Sequence, residues 1–370
     1  MKKIIYSVYA VIFNFYRLIF KVKEDRVCFV SMHNENFNDC LGGVYKELKK
    51  LGKHEFVFIN REDLQVSIKN LPKLIGFFLI KSKQLATSNY VFLNDNFLPM
   101  GNLNFDEKVQ VCQLWHGEGA FKKFGLSIKQ DSFTREMEIK ANAKLTSVIC
   151  TSTSAAKIYA EAFGVAEEKV HVLGSARVDY FYDEKNAVKA KQKLSELYPQ
   201  TKGKTVVLYA PTFRDDPSKN EELLSNFDFE KFQNELGKTH VLLVKLHPQV
   251  PAKLIELHGA INVSDYDDVR ELVLSCDMLI TDYSSIAMDF SLVNKKAIYF
   301  AFDLSDYIKD RDFYFDYESF VSGEVARDTA EVIECVKKDF CEVKNDRFKR
   351  FNFDFDDDQN AKRIIEFVFG

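Results

Sequence analysis

The stretch Leu279-Ile-Thr-Asp-Tyr-Ser-Ser-Ile-Ala-Met-Asp289 carries hydroxyl and carboxylate side chains between two apolar segments. Residues 278–280 predict a buried strand, and residues 291–301 resume the apolar pattern. In α/β proteins a phosphate is often held where a strand leads into a helix, because the first helical N–H groups are unpaired. Ser284 and Ser285 would equally serve as an N-cap. The stretch therefore predicts an α/β strand-to-helix turn and leaves both roles open.

Short apolar runs alternate with amphipathic segments of helical length along the rest of the chain. This alternation predicts two doubly wound, Rossmann-like parallel sheets, with a ligand cleft between the domains at the carboxyl ends of the strands. Residues 39–51 and 64–86 have helical periodicity. The predicted strands are residues 26–31, 55–59, 89–93, 109–115, 147–151 and 169–173, followed by 205–210, 240–246, 260–263, 277–281 and 296–300.

The composition describes a globular protein that has no general affinity for nucleic acid. The chain has 370 residues, which suits about two domains. Its 51 basic and 55 acidic residues nearly balance, so no nucleic-acid partner is expected. Seven scattered cysteines, several inside apolar runs, predict buried thiols rather than disulfides or a zinc site.

The N-terminus departs from this globular pattern. It is basic, has no acidic residue before Glu24, and is uncharged over residues 4–16, which is shorter than the roughly 20 residues that span a bilayer. Aromatic residues at helical spacing beside a basic flank favour a helix lying in an anionic membrane surface. The alternative is a first helix packed on the protein's own core. The aromatic residues are Tyr6, Tyr9, Phe13, Tyr16 and Phe20.

A histidine follows the predicted strand 109–115. Trp115 and His116 are followed by Gly117 and Gly119, which permit close backbone approach. An imidazole at the carboxyl end of a parallel strand is well placed to act as a general base near neutral pH. The alternative is a strand-end histidine that bonds a neighbouring carbonyl group.

Cations follow three other predicted strands. Arg214 follows Pro211 and Thr212, and arginine suits bidentate phosphate contact, although it would also pair with Asp215 or Asp216. Lys245 and His247 are two residues apart, so they share one face at the end of a strand that Pro248 stops. Arg177 either pairs with Asp179 or reaches into the cleft. Together with His116 and the two serines, these groups would surround a pyrophosphate. The chain lacks a Walker loop, a G-x-G-x-x-G after the first strand and an H-x-E…C-x-x-C zinc pattern, which argues against P-loop and hydride-transfer chemistry.

Five motifs resemble, in order, those of the CDP-glycerol glycerophosphotransferase family of teichoic-acid primases and polymerases. The resemblance runs from about Arg26 to the end of the chain. The motifs are Gln113-Leu-Trp-His-Gly, Gly174-x-x-Arg-x-Asp179, Tyr-Ala-Pro-Thr-Phe-Arg-Asp-Asp216, Leu-His247 and Thr281-Asp-Tyr-Ser-Ser-x-x-x-Asp289.

The resemblance implies a GT-B glycosyltransferase-like fold and a phosphotransfer reaction. The amphipathic helix would occupy residues 1–22, an acceptor domain 23–182, a CDP-donor domain 183–345, and a segment crossing back to the first domain 346–370. The implied reaction moves glycerol phosphate from CDP-glycerol, or ribitol phosphate from CDP-ribitol, to a hydroxyl of a lipid-linked, undecaprenyl-type acceptor and releases CMP. It would serve cell-wall or surface polymer synthesis at the cytoplasmic face of the membrane. No metal or other cofactor is expected, because Asp215-Asp216 and Asp356-Asp-Asp358, which could bind Mg²⁺, are expected to be exposed.

The resemblance also implies roles for single residues. His116 would accept the proton of the acceptor hydroxyl, and His247 would hold the donor pyrophosphate. The family often has Thr-Pro where this chain has Glu118-Gly119, and commonly Arg where it has Lys245. The other residues expected at the substrates are Trp115, Gly117, Glu118, Gly119, Arg177, Pro211, Thr212, Arg214, Lys245, Leu246, Ser284, Ser285 and Asp289.

Two other functions fit the same features less fully. A GT-B glycosyltransferase that uses a nucleotide-sugar donor would have a similar fold and phosphate site. A non-enzymatic, membrane-associated scaffold for glycan assembly would keep the N-terminal helix and the core, but it has no need for two strand-end histidines.

Overall fold

The computed structural model describes residues 2–33, 37–65, 71–214, 216–247 and 256–370. The chain divides into two compact units, Met1–Asp179 with Phe353–Gly370, and Tyr180–Asn352. The sequence placed the corresponding divisions at 182/183 and 345/346. Asp215 and Pro248 lie outside the described residues.

A six-stranded sheet forms the centre of the first unit, and all of its strand pairs are parallel. Its order is β2-β1-β3-β4-β5-β6, so the direction of winding reverses between β1 and β3. Such a reversal is where doubly wound sheets bind ligands. The strands are β1 (Lys23–Ser31), β2 (Glu55–Asn60), β3 (Ser88–Leu93), β4 (Gln110–Gln113), β5 (Ser147–Cys150) and β6 (Val170–Val172).

Helices supply the rest of the first unit's core. Val27 and Phe29 of β1 are fully buried and pack with Ile364 of the last helix, so the end of the chain is part of this core. The helices of this unit are α1 (Lys2–Ile19), α2 (Cys40–Leu51), α3 (Leu71–Gly76), α4 (Ser82–Ala86), α5 (Ser132–Asn142), α6 (Thr153–Phe163) and α17 (Asn360–Phe369). A π-helical segment, Phe77–Lys81, joins α3 to α4.

The aromatic stripe of α1 turns toward the protein. Tyr9 and Phe13 are fully buried, and the Tyr9 ring stacks on Phe77 at 4.3 Å. At Tyr9 and Phe13 the aromatic stripe is therefore a packing face, as in the alternative, whereas Phe20 is exposed. A second apolar face of α1 is exposed instead, at Ile4, Val8, Val11, Phe15, Leu18 and Ile19. Among the described helices, none is long and apolar enough to cross a membrane.

The second unit is a complete Rossmann-type sheet with the order β12-β11-β10-β7-β8-β9. Its strand pairs are all parallel, and its reversal point lies between β7 and β10. Because helices cover both faces, the strands are nearly continuous apolar runs. The strands are β7 (Thr205–Tyr209), β8 (His240–Val244), β9 (Ile261–Asn262), β10 (Met278–Thr281), β11 (Lys296–Phe300) and β12 (Glu324–Ala326).

Ten helices are assigned within or at the edge of the second unit among the described residues. The short helix α7 (Asp179–Tyr182) contains the division between the units. The others are α8 (Glu184–Leu197), α9 (Pro217–Ser225), α10 (Phe229–Leu236), α11 (Val269–Ser275), α12 (Ile286–Leu292), α13 (Leu304–Asp310), α14 (Tyr317–Phe320), α15 (Thr329–Lys337) and α16 (Glu342–Asn352).

All eleven predicted strands are present, and the predicted α/β class is confirmed. Strand β12 escaped prediction because its three residues carry no clear pattern. The largest differences at the carboxyl ends of strands are two residues, at β4, which ends at Gln113, and at β8, which ends at Val244. The seven cysteines are free, and all except Cys341 are buried, as predicted for reduced thiols.

Candidate active site

The loop after β4 holds Trp115 in a left-handed backbone conformation, with φ 59°. This conformation is uncommon for a bulky residue and marks a constrained position. Hydrogen bonds hold it from both sides. The Trp115 N–H donates to Gln113 Oε1 at 3.0 Å, and the Cys40 thiol donates to the Trp115 carbonyl group. The loop therefore presents the next residue, His116, in a fixed position.

One ring nitrogen of His116 is already occupied. Nδ1 lies 2.9 Å from the carbonyl oxygen of Asn94, which follows β3. Burial lowers the pKa of His116 to about 4, against the opposing effect of Asp95. The imidazole is therefore neutral near pH 7. Since a carbonyl oxygen only accepts, Nδ1 carries the hydrogen and Nε2 keeps its lone pair.

The two glycines after His116 are fixed by hydrogen bonds to the neighbouring segments. The Gly119 N–H donates to Thr151 Oγ1 at 3.0 Å, and the Tyr159 hydroxyl donates to the Gly117 carbonyl group at 2.6 Å. These contacts tie the loop to the carboxyl end of β5 and to α6. The backbone around His116 is therefore rigidly supported by its own unit.

Glu118 is buried and faces protein groups. Its Oε1 accepts from the Ser175 hydroxyl at 3.2 Å and lies 3.6 Å from the Arg177 guanidinium. From the sequence, Arg177 was expected either to pair with Asp179 or to reach into the cleft. Its pairing with Glu118 was not predicted. The structure therefore joins the His116 loop to the Gly174 motif through a buried ion pair.

The rest of the Gly174 motif anchors the last helix. The Asp179 carboxylate accepts the backbone N–H groups of Asn360 and Ala361 at 2.9 Å each, which caps the start of α17. Gly174 has φ 86°, and a Cβ there would lie 1.6 Å from Asn360 Oδ1. Only glycine fits this approach. Of the two alternatives for Arg177, pairing with Asp179 is thus not favoured, because the Asp179 carboxylate caps α17.

In the second unit, Asp282 joins the ends of two neighbouring strands. Its Oδ1 accepts the Thr212 N–H at 2.8 Å and the Tyr283 N–H at 2.6 Å. The Thr281 hydroxyl adds a bond of 2.7 Å to the Ala210 carbonyl group. The Pro211-Thr212 motif after β7 and the Asp282–Ser285 motif after β10 therefore meet at the reversal point of the sheet.

Arg214 is a buried cation with carboxylate partners within the protein, and its contact with a phosphate stays a prediction. Its side chain is 6 % exposed and pairs with Asp282 and Asp303 at 2.9 Å each. It also donates to the Thr212 carbonyl group at 2.6 Å. The guanidinium lies over Tyr283, and its ion pairs raise its pKa despite the opposing effect of burial. Its charge is already neutralised, so it shapes the loop that carries Thr212.

The serines after β10 differ from each other. Ser285 is exposed, and as the residue before α12 it makes no side-chain cap bond. Ser284 is half-buried, and its hydroxyl accepts the Ile286 N–H at 3.4 Å. Capping is therefore weak at this turn. Asp289 is buried inside α12, and its contact with substrate stays a prediction.

The residues after β8 also separate into structural and accessible ones. Lys245 Nζ donates to the carbonyl groups of Ser264 and Tyr266, and Leu246 lies in the hydrophobic core. Both side chains thus contact protein groups, and their substrate contacts stay predictions. His247 is exposed, and its ring stacks on Phe213 at 4.3 Å. This stack brings the ends of β7 and β8 together.

Sequence reasoning missed two residues beside His116. His33 follows β1 and Asp95 follows β3, and the three residues form the one cluster among the described residues with metal-ligand composition. Their possible ligand atoms lie within 4.8 Å of one another. The signal that was available is position, because each follows the carboxyl end of a predicted strand. That no metal assists the reaction stays a prediction.

Comparisons with known proteins agree with the motifs. The family model described as "CDP-Glycerol:Poly(glycerophosphate) glycerophosphotransferase" matches residues 12–370. The chain is 28% identical to the teichoic acid ribitol-phosphate primase of Bacillus spizizenii, covering 100% of this chain and 97% of that protein. The teichoic acid glycerol-phosphate primase of Bacillus subtilis is 29% identical, with 78% of this chain and 76% of that protein covered.

The chain is also similar to a longer polymerase and to a solved polymerase structure. The teichoic acid poly(ribitol-phosphate) polymerase of B. spizizenii is 30% identical over 99% of this chain, which spans 59% of that protein. A variant of the wall teichoic acid polymerase TagF has a TM-score of 0.77 at 22% identity, covering 98% of this chain and 93% of that chain. This likeness confirms the predicted GT-B-like fold class.

Proposed function

The chain belongs to the CDP-glycerol:poly(glycerophosphate) glycerophosphotransferase family, and from that premise we propose that it transfers an alditol phosphate from a CDP-alditol to a hydroxyl of a lipid-linked acceptor. Glycerol phosphate and ribitol phosphate are the two candidate groups, and CMP is the leaving group. The product would extend a teichoic-acid-like polymer of the cell wall. The chain is about equally identical in sequence to a ribitol-phosphate primase and to a glycerol-phosphate primase. Sequence identity therefore favours neither donor over the other.

The observation that carries this proposal is the fixed tautomer of His116. Its Nε2 lone pair is available at neutral pH because Nδ1 donates to Asn94 and burial keeps the ring uncharged. In the proposed step, Nε2 takes the proton of the acceptor hydroxyl while the oxygen attacks the alditol-bearing phosphorus. The bond from that phosphorus to the CMP oxygen breaks. A base positioned in this way contributes about 10²–10⁴-fold to such reactions.

The loops at the reversal point of the second unit support donor binding. The Thr212 hydroxyl oxygen is buried and has no hydrogen-bond partner among the described residues. A buried polar group in this state calls for a partner, and a donor oxygen would supply one. The exposed hydroxyl of Ser285 and the half-buried one of Ser284 follow the neighbouring strand. His247 adds an imidazole for the pyrophosphate charge.

A donor screen tests the proposal. The melting temperature of the purified protein is measured with CDP-glycerol, CDP-ribitol, a UDP-sugar or a CMP-sugar, each in a separate sample. In a second assay, the release of the nucleotide from each donor is followed in the presence of a lipid-linked acceptor. We expect one or both CDP-alditols to raise the melting temperature and to yield CMP, and the nucleotide-sugars to do neither. Stabilisation and turnover with a nucleotide-sugar alone would favour the glycosyltransferase alternative.

We further propose that the exposed face of α1 rests on the cytoplasmic surface of the membrane as a peripheral contact. Val11 and Leu18 belong to that face and are 69% and 87% exposed. Leu79 and Ile80 of the π-helical segment are also exposed apolar residues of this unit. A lipid-linked acceptor would be met at such a surface. Arg17 forms an ion pair with Asp106, so its charge is partly neutralised within the protein and attracts anionic lipid less strongly.

A further inference from the structure

His33 lies beside His116, although the reaction assigned above does not use it. His33, Asp95 and His116 follow β1, β3 and β4, which are neighbours in the sheet. The reversal of winding lies between β1 and β3, at the place where doubly wound sheets bind ligands. The fold therefore brings three titratable groups to the expected ligand position from three separate strands.

The two imidazole rings are stacked face to face. Their centroids are 3.8 Å apart, and their planes differ by 2°. Asp95 Oδ2 lies 3.8 Å from Nδ1 of His33 and 3.9 Å from Nδ1 of His116. The Asp95 carboxylate therefore lies close to both rings. The stacked contact with His33 restricts the rotation of the His116 ring.

This geometry suits charge control better than metal binding. A metal ion must lie near the plane of each imidazole that ligates it, because the nitrogen lone pair lies in that plane. Two parallel rings stacked at 3.8 Å do not direct their lone pairs to one point. Two protonated rings at this separation would repel each other, whereas one protonated ring is stabilised by Asp95.

We infer that His33 is a positioning residue for His116 in the proposed transfer reaction. Its ring sets the plane of the His116 imidazole, so that Nε2 of His116 is held in one direction to accept the proton of the acceptor hydroxyl. This inference rests on the proposed function. Among the described residues, two carboxylates interact electrostatically with the pair. Asp95 lies near both rings, and Asp39 acts on His116.

Two variants separate the ring from its charge. His33→Phe keeps a flat ring and removes the charge, whereas His33→Gln removes both. We expect His33→Gln to lower kcat at least tenfold with unchanged donor affinity, and His33→Phe to recover most of that loss. In His33→Phe, the acid limb of the kcat profile should move to higher pH, because His116 loses the neighbouring charge that lowers its pKa. His171→Phe, which changes a histidine of the edge strand β6, is the matched control and should leave both quantities unchanged.

An NMR titration of the His116 ring tests the coupling without turnover. Because the charge of His33 lowers the pKa of His116, both variants should protonate His116 at a higher pH than the wild type does. Unchanged kcat, pH profile and His116 titration would overturn the inference. So would a stoichiometric divalent ion that the wild type holds and His33→Gln loses. Absence of transfer by the wild type would reject the proposed function, while the titration would still decide the coupling.

Discussion

The Nδ1 atom of His116 donates its hydrogen to the carbonyl oxygen of Asn94 at 2.9 Å. This bond unites the two roles considered for a strand-end histidine. It satisfies one nitrogen within the protein and thereby fixes the lone pair on the other. The structural contact is thus what prepares the base, and four further consequences of the structure can be measured.

The half-buried His116 ring should make the protein sensitive to acid. Its folded-state pKa of about 4 lies below the ordinary value of 6.5, so the unfolded chain binds a proton first as the pH falls. The free energy of unfolding should decrease between pH 6.5 and 4, by at most about 1.4 kcal/mol per pH unit from this group. Urea unfolding at several pH values should show a shallower decrease for His116→Asn. Identical slopes in the two proteins would contradict the burial of a neutral ring.

Arg214 should matter for stability before it matters for chemistry. Arg214→Ala leaves the buried Asp282 and the half-buried Asp303 without their cation, and the loss of a buried partner typically costs about 3–5 kcal/mol. We expect a lower urea midpoint and, because Thr212 loses its support, weaker donor binding. Lys309→Ala breaks an exposed ion pair with Asp306 and serves as the control, with no measurable change expected. A fully stable Arg214→Ala protein would show that the buried pairs contribute little.

His247 and His240 flank the same strand and allow a matched comparison. His240 begins β8, whereas His247 follows its carboxyl end and stacks on Phe213. Loss of a charge-assisted contact to the donor pyrophosphate should weaken donor binding by about 10- to 100-fold in His247→Ala, and transfer should fall with it. His240→Ala should bind the donor normally. Equal affinities for the two variants in calorimetry would remove His247 from the donor site.

The exposed face of α1 gives a test of membrane contact that leaves the core intact. Val11→Glu and Leu18→Glu should each weaken flotation with anionic vesicles at least about tenfold, since both residues are exposed. Val343→Glu, at an exposed site of α16, is the control. Deleting the helix would be less informative because Tyr9 and Phe13 are buried. Unchanged flotation of both α1 variants would direct attention to Leu79 and Ile80.

The positions of the strands and their end loops were predictable from the sequence. Apolar runs separated by helical segments determine a doubly wound sheet, and the motif residues then fall at carboxyl ends. The stacking of His33 on His116 was not predicted, because no pattern in the chain pairs the ends of β1 and β4. Position at a strand end was the available clue.

The partners of buried charges were the least predictable feature. Sequence proximity suggested Asp215 or Asp216 for Arg214, whereas Asp303 is 89 residues away. Glu118 and Arg177 meet only after β4 and β6 have taken their places in one sheet. Periodicity likewise identified the residues that share a face of α1. It did not reveal which face turns inward, because both are apolar.

The most direct test of the central claim compares His116→Ala with the wild type in one transfer assay. CMP release from CDP-glycerol and CDP-ribitol is measured with a lipid-linked acceptor, and donor affinity is measured on the same samples by calorimetry. We predict that His116→Ala loses about 10²–10⁴-fold in transfer rate while its donor affinity stays within the error of the wild type. Transfer by His116→Ala at the wild-type rate would contradict the assignment of His116 as the base.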